Sequence, residues 1–207
     1  MANTALVQSV APARVQTFGP GGQAYAANLV GGFMLEASKK SYDFFSLSMN
    51  SDNIYAKVLT NLQEQGKIGN SMAFTARQYG IRLVKIDGTE ITSAEMAALI
   101  QFIASSRLEF YVGSNKTKVL ELMLSHFMNS VTGQESAGNT VALPINQAAW
   151  ITLSGSMIQG LEPNTEISGT LFMNWPTGTA AALGYNADPA TPKFMFQFIM
   201  AGEKQTK

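Results

Sequence analysis

The sequence contains no cysteine among its 207 residues. This absence excludes disulfide frameworks, thiol nucleophiles and most zinc sites. Histidine is almost absent as well, because His126 is its single occurrence. A serine–histidine catalytic pair would depend on this residue, and no glycine-x-serine-x-glycine motif accompanies it. We therefore interpret His126 as a structural residue at the end of a strand.

Charge is also scarce. Charged residues make up 14% of the chain, against about 25% in typical soluble domains. The 14 basic and 14 acidic residues cancel, so no long-range field attracts the chain to a phosphate backbone. We expect no strong direct binding to nucleic acid. A surface with so few charges suits a protein that is covered by copies of itself or by partners.

Long apolar runs are missing too. The densest apolar stretch, residues 97–104, is interrupted by Gln101 and is shorter than the roughly 18 residues of a membrane-spanning helix. The first ten residues lack both the basic start and the apolar core of a signal peptide. We expect a protein that is made in the cytoplasm and does not span a membrane.

No group of residues forms a recognisable catalytic or metal site. Glu109 and Glu121 would face each other across a predicted hairpin, as paired carboxylates do in glycosidases, but an exposed sheet face explains them equally well. The glycine-rich segment 19–22 lacks the lysine and serine that end a phosphate-binding loop. We predict no enzymatic activity and no cofactor or metal. The four aspartates lack calcium-loop spacing; they are Asp43, Asp52, Asp87 and Asp188.

Residues 1–40 are predicted to form an extended arm, followed by one domain over residues 41–207. The first 35 residues carry a single charge, Arg14, and show little periodicity. Such low charge is unlike solvated disorder, so the arm is expected to lie against another surface. A flexible terminus is the alternative. The arm is rich in glycine and proline, namely Pro12, Gly19, Pro20, Gly21, Gly22, Gly31 and Gly32.

Two segments have the apolar spacing of helices. The first is predicted over 53–65, where Ile54, Val58 and Leu62 fall near one helical face. The second is predicted over 93–105, where Thr92 and Glu95 are spaced as a capping box.

The remaining apolar residues recur mostly at every second position, which is typical of strands. Many short strands with few helices favour a β-sandwich or jelly roll over a parallel α/β sheet. The fold class is therefore predicted as mainly β, a single jelly-roll sandwich with one or two inserted helices. The predicted strands are 41–49, 72–86 (as one long strand or as two joined by a kink at Gly80), 107–112, 119–124, 149–153, 166–174 and 194–201.

The strand near the C-terminus is apolar on both faces except at Gln197. Both faces then require cover, from a second sheet and from a neighbour or an inserted element. We predict that this strand and the arm carry the contacts between copies. The residues assigned to assembly are Gly19, Gly21, Gly22, Phe33, Phe194, Phe196 and Phe198.

With its weakly charged arm, the β-segments from 72 to 201, and neither cysteine nor an active site, the chain resembles the single jelly-roll major capsid proteins of icosahedral bacteriophages, which often contain a membrane. The resemblance implies an eight-stranded sandwich whose copies assemble into pseudo-hexameric capsomers. It also implies a location in the virion after synthesis in the host cytoplasm, with other capsid proteins and an internal lipid membrane as partners. The arm lacks the arginines of coat proteins that touch the genome, so something else would hold the genome.

The alternative is a jelly-roll module that binds a carbohydrate or a receptor, such as a spike or a lectin-like domain. Trp150, Trp175 and Tyr185 would then stack against sugar rings. Trp175, beside Pro176 at a strand end, is the better candidate of these. A subunit of a shell forms large particles, whereas a binding module stays a monomer or a trimer.

Overall fold

The computed structural model describes residues 23–36, 39–87, 89, 91–128, 149–153, 159–175, 178–184 and 192–206. These residues are mainly β, as the sequence predicts. The strands are β1 (Gln23–Met34), β2 (Ser41–Phe44), β3 (Met72–Lys85), β4 (Arg107–Val112), β5 (Thr117–Met123), β6 (Ala149–Thr152), β7 (Gln159–Leu161), β8 (Ile167–Phe172) and β9 (Phe194–Thr206). The helices are α1 (Ala56–Leu59), α2 (Ser93–Ala104), α3 (Ser125–Met128) and α4 (Thr179–Ala182).

The strands form two antiparallel sheets. Sheet A has the order β1-β9-β3-β6, with β7 also paired to β3, and sheet B has the order β2-β8-β4-β5. The pairing is nested, because β1 pairs with β9, β2 with β8, β3 with β6 and β7, and β4 with β5. The chain therefore resembles one long hairpin that is bent over, with the β3–β9 and β4–β8 pairs closing each sheet.

The core lies between the two sheets and is dominated by aromatic rings. Phe198 of β9 is at its centre, with its ring centroid 5.0–6.2 Å from four other rings. Since these rings come from both sheets, their contacts hold the sandwich together, and aromatic pairs at such distances stabilise beyond simple burial. The four partners of Phe198 are Phe44, Phe45, Tyr79 and Phe110.

Three strand glycines lie directly beneath aromatic rings. At each of them a Cβ atom would come closer to the ring than side chains tolerate. Glycine is therefore required for space, since the ring occupies the place of a side chain. The pairs are Gly31 with Phe45 (2.5 Å), Gly80 with Trp150 (2.7 Å) and Gly169 with Phe44 (1.9 Å).

Helix α2 lies in the range where the sequence predicts a helix. The Thr92 hydroxyl accepts a hydrogen bond from the Glu95 amide, and the Glu95 carboxylate accepts one from the Thr92 amide. This reciprocal pair satisfies two amides that the first turn leaves free. Glu95 also forms an ion pair with Lys85 at 3.0 Å, which ties the start of α2 to the end of β3.

The helix predicted over 53–65 is wrong in length, because only the single turn α1 forms there. The chain becomes extended at Thr60, with φ −148° and ψ 152°. Thr60 forms a β-bridge with Gly31 of β1. Pairing with this strand competes with the helix and ends it.

The arm predicted over 1–40 needs a shorter boundary. Its second half contains β1, which pairs with β9 from Gln23 opposite Thr206 to Met34 opposite Met195. Glycines that suggested an irregular segment instead make room for neighbouring side chains. The sandwich therefore includes residues 23–34, and residues 1–22 lie outside the described residues.

Several strand boundaries also differ from the prediction, and the largest differences are at β2 and at β9, which continues to Thr206. Strand β2 ends at Phe44 rather than at residue 49, because Phe45 adopts a φ of 65°, which is outside the extended region. Of the two alternatives predicted for 72–86, the single long strand is the one that forms: β3 runs through Gly80 without a break, and its irregularity lies between Ala76 and Gln78. Within the described ranges, no helix is long and apolar enough to cross a membrane.

Candidate assembly surfaces

The four phenylalanines that the sequence assigns to assembly lie in the interior. Phe194, Phe196 and Phe198 have no exposed surface, and Phe33 is 8% exposed. The Phe33 ring stacks on Phe196 with centroids 5.0 Å apart. In the folded chain these side chains pack the two sheets together. Gly19, Gly21 and Gly22 lie outside the described residues.

The opposite side of β9 is covered by the chain's own α1. Met195, Gln197 and Ile199 point away from the core, yet each is less than a tenth exposed. The Gln197 side chain donates a hydrogen bond to the Val58 carbonyl oxygen at 2.6 Å. The cover that this face of β9 needs therefore comes in part from residues of the same chain.

Asn61, just after α1, closes part of the free edge of β1. Its side-chain oxygen accepts a hydrogen bond from the Val30 amide at 2.8 Å, and its side-chain nitrogen donates one to the Asn28 carbonyl at 2.6 Å. An unpaired edge strand is a template for pairing with another chain. Asn61 occupies two of the groups that such pairing would use.

Two large apolar side chains project from α1 and the turn before it. Ile54 is 83% exposed and Val58 is 51% exposed. We call these two residues the apolar knob. Their spacing of four is the one that suggested a buried helical face, so the periodicity alone could not show that they point to solvent.

The outer face of sheet B carries an ionic cluster on the β4–β5 hairpin. Glu109 lies opposite Glu121 in the register, as the sequence predicts. The Glu109 side chain is only 8% exposed and lies 3.2 Å from Arg107 and 3.6 Å from Lys118. Both basic residues also contact Glu121. The two carboxylates are thus neutralised by two cations, which is the arrangement of a salt-bridged sheet face.

The cluster changes the acidity of three side chains. A hydrogen bond to Glu109 raises the pKa of the Tyr111 hydroxyl, because the carboxylate favours the protonated phenol. A hydrogen bond between Lys118 and Glu121 raises the pKa of the lysine and lowers the pKa of the carboxylate. The contacts in the cluster thus favour the charged forms of Lys118 and Glu121 and the protonated form of Tyr111.

Replacing Glu109 with glutamine is expected to lower the pKa of Tyr111 toward the ordinary tyrosine value of about 10. A raised pKa in the folded state stabilises the fold below the ordinary pKa, and this contribution is lost as the pH rises through the raised value. The contribution of Tyr111 to folding stability should therefore be smaller in the Glu109→Gln variant and should be lost at a lower pH. Tyrosinate absorbance, taken as the difference from the matched Tyr111→Phe variants, measures this pKa; an unchanged pKa would contradict the assigned hydrogen bond.

A second exposed apolar pair lies on the same face of sheet B. Phe172 is 37% exposed and Met123 is 40% exposed, and both are register partners of Arg107. The Arg107 guanidinium lies 5.1 Å from the Phe172 ring centroid, a cation–π distance. We call this row of three residues the sheet B patch.

The three aromatic residues of the binding alternative occupy different places. Trp175 packs its ring on Phe102 with centroids 5.4 Å apart, and its indole donates a hydrogen bond to the Lys39 carbonyl. Trp150 is half-buried over Gly80. Tyr185 lies outside the described residues. Both tryptophans thus make contacts within the chain.

His126 is in α3, two residues beyond the predicted strand end, and its Nδ1 lies 3.0 Å from the Met123 carbonyl oxygen. In the part of the chain that the structure describes, no three acidic or histidine side chains gather as a ligand set.

No model of a known protein family matches the chain, and no curated protein matches it either. The function therefore has to be inferred from the fold and the surface.

Proposed function

We propose that this protein is a structural virion protein, a jelly-roll major capsid subunit that assembles with its own copies into an icosahedral shell. In this proposal its partners are other copies, other capsid proteins and an internal lipid membrane. The protein acts in the virion, and it has no catalytic role.

The nested strand pairing is the observation that carries the proposal. Strands β6 and β7 both pair with β3. When they are counted as one interrupted strand, eight strands remain, four in each sheet. A bent hairpin with this pairing is the arrangement expected of a jelly roll, which occurs in viral capsids, lectins and cupins.

The filled interior favours a structural role over a ligand site between the sheets. A small-molecule site requires a concave space of several hundred cubic ångströms, as a general rule. Here the rings around Phe198 occupy the centre of the sandwich. A shell subunit needs a rigid, dry core and makes its contacts on the outside.

The outside is suited to contacts with copies. The chain carries few charges, and the apolar knob and the sheet B patch expose large apolar side chains. Trp175, the better candidate of the sugar-binding alternative, makes its indole hydrogen bond inside the chain. Gly19, Gly21 and Gly22 of the arm stay proposed as assembly residues.

The mass of the native protein tests the proposal. Light scattering and negative-stain microscopy over a range of concentration and salt should show rings, sheets or shells. Particles no larger than a trimer under all conditions would contradict the proposal. A glycan-binding screen, with Trp150→Ala and Trp175→Ala as variants, would then test the binding alternative.

A further inference from the structure

The large apolar side chains that are exposed among the described residues fall into two pairs on opposite sides of the sandwich. Ile54 and Val58 of the apolar knob lie outside sheet A, because α1 packs over Gly32 and Gln197 on its outer face. Phe172 and Met123 of the sheet B patch lie on the outer face of sheet B.

The apolar knob is held firmly. Ala56 and Leu59 of α1 are each 1% exposed, and the Val58 carbonyl is bound by Gln197. The two apolar side chains therefore project from an anchored turn. An apolar pair on an anchored turn needs little ordering when it contacts a partner, which suits an interaction site.

One exposed charge beside each surface has the opposite sign to a charge beside the other. Arg107 within the sheet B patch is already paired with Glu109 and Glu121, and Asp52 is also exposed near Ile54. Lys57 lies next to Val58 in α1, is exposed and has no acidic partner within the described ranges. Asp43 of β2 is exposed on the outer face of sheet B, where it accepts a hydrogen bond from Thr170, two residues from Phe172. No cation of the described chain pairs with Asp43.

We propose that the apolar knob of one copy docks on the sheet B patch of a second copy, with Lys57 beside Asp43. This inference rests on the proposed self-assembly. Because the two surfaces are on opposite sides of one chain, the contact is heterologous, and it propagates from copy to copy rather than closing a two-fold dimer. Four side chains bury far less than the roughly 1,200 Å² of a stable interface, so the contact acts together with others in an assembly.

Cross-linking through introduced cysteines tests the pairing. No native thiol competes for the reagent, because the chain has no cysteine. Ile54→Cys and Phe172→Cys chains are mixed, assembled and treated with a short bis-maleimide. A covalent dimer is expected in the mixture and not with either variant alone. Ala94→Cys, at an exposed position of α2, replaces Phe172→Cys in the control mixture and should give no dimer.

Charge reversal gives a second readout. Lys57→Glu or Asp43→Lys alone should raise the protein concentration for half-assembly about fivefold, by analogy with exposed ion pairs. The double variant should restore the original concentration.

The outcomes separate the two proposals. The contact between the apolar knob and the sheet B patch is overturned if particles form but Ile54→Cys chains do not cross-link to Phe172→Cys chains. It is also overturned if Ile54→Cys chains cross-link to one another. Either result leaves the proposed shell function standing. A chain that never associates overturns both.

Discussion

Replacing Phe198 with alanine is expected to lower the free energy of unfolding by about 3–5 kcal/mol. The Phe198 side chain is fully buried and packs against four rings from both sheets. Truncation leaves a cavity at the point where the sheets meet, and the rigid rings around it cannot collapse to fill it. Urea denaturation, followed by circular dichroism and tryptophan fluorescence, measures the loss.

Phe172→Ala is the matched control, since it removes the same side chain from an exposed position. Its effect should stay within about 1 kcal/mol, in which the cation–π contact with Arg107 is included. If the two variants lose equal stability, the aromatic cluster does not dominate the core. If Phe198→Ala does not fold at all, Phe198→Leu keeps the site apolar and should give a smaller, measurable loss.

Replacing Gly169 with alanine is expected to cost about 1–3 kcal/mol, although alanine is usually the more favourable residue in a strand. A Cβ at this position would lie 1.9 Å from the Phe44 ring. Phe44 is itself 1% exposed, so its ring has no space into which it can move. Strand β8 and the packed ring would have to separate.

Gly160 in β7 provides a control with the opposite sign. Among the described residues, no non-adjacent atom lies within 4 Å of a Cβ built there. Gly160→Ala should therefore stabilise the fold by about 0.4–1 kcal/mol, because alanine restricts the unfolded chain. Thermal unfolding of both variants tests the pair, and a stabilising Gly169→Ala would contradict the described packing of Phe44.

The sequence predicts best where the signal is local. Strict alternation over 107–112 places the strand β4, and the spacing of Thr92 and Glu95 places the start of α2. The register of Glu109 opposite Glu121 depends on the hairpin turn between them together with a register shift between Phe110 and Tyr111. Each of these features depends on residues that are close in the chain.

Features that depend on distant residues were not predictable from periodicity. Strand β1 is hidden in the sequence because Gly31 and Gly32 make room for Phe45 and Leu59, which follow later in the chain. The length of α1 is set by the bridge from Thr60 to β1.

The assembly surface raises the same difficulty. The pattern around Phe194–Met200 indicates that both faces of β9 need cover, but it cannot say that α1 provides part of it. Nor can a helical spacing distinguish the exposed Ile54 and Val58 from a buried pair. Their exposure becomes visible only when α1 is placed on the outside of sheet A.

The nested pairing also sets the order in which the chain can fold during its synthesis. Gln23 pairs with Thr206, which lies more than 180 residues later in the chain, so sheet A stays open until β9 has been synthesised. Contacts of such high sequence separation slow folding. Until then, β1 and β3 expose edges that the β9 of another copy can occupy, which exchanges strands between chains. During synthesis, closing of sheet A within one chain therefore competes with strand exchange between neighbouring chains.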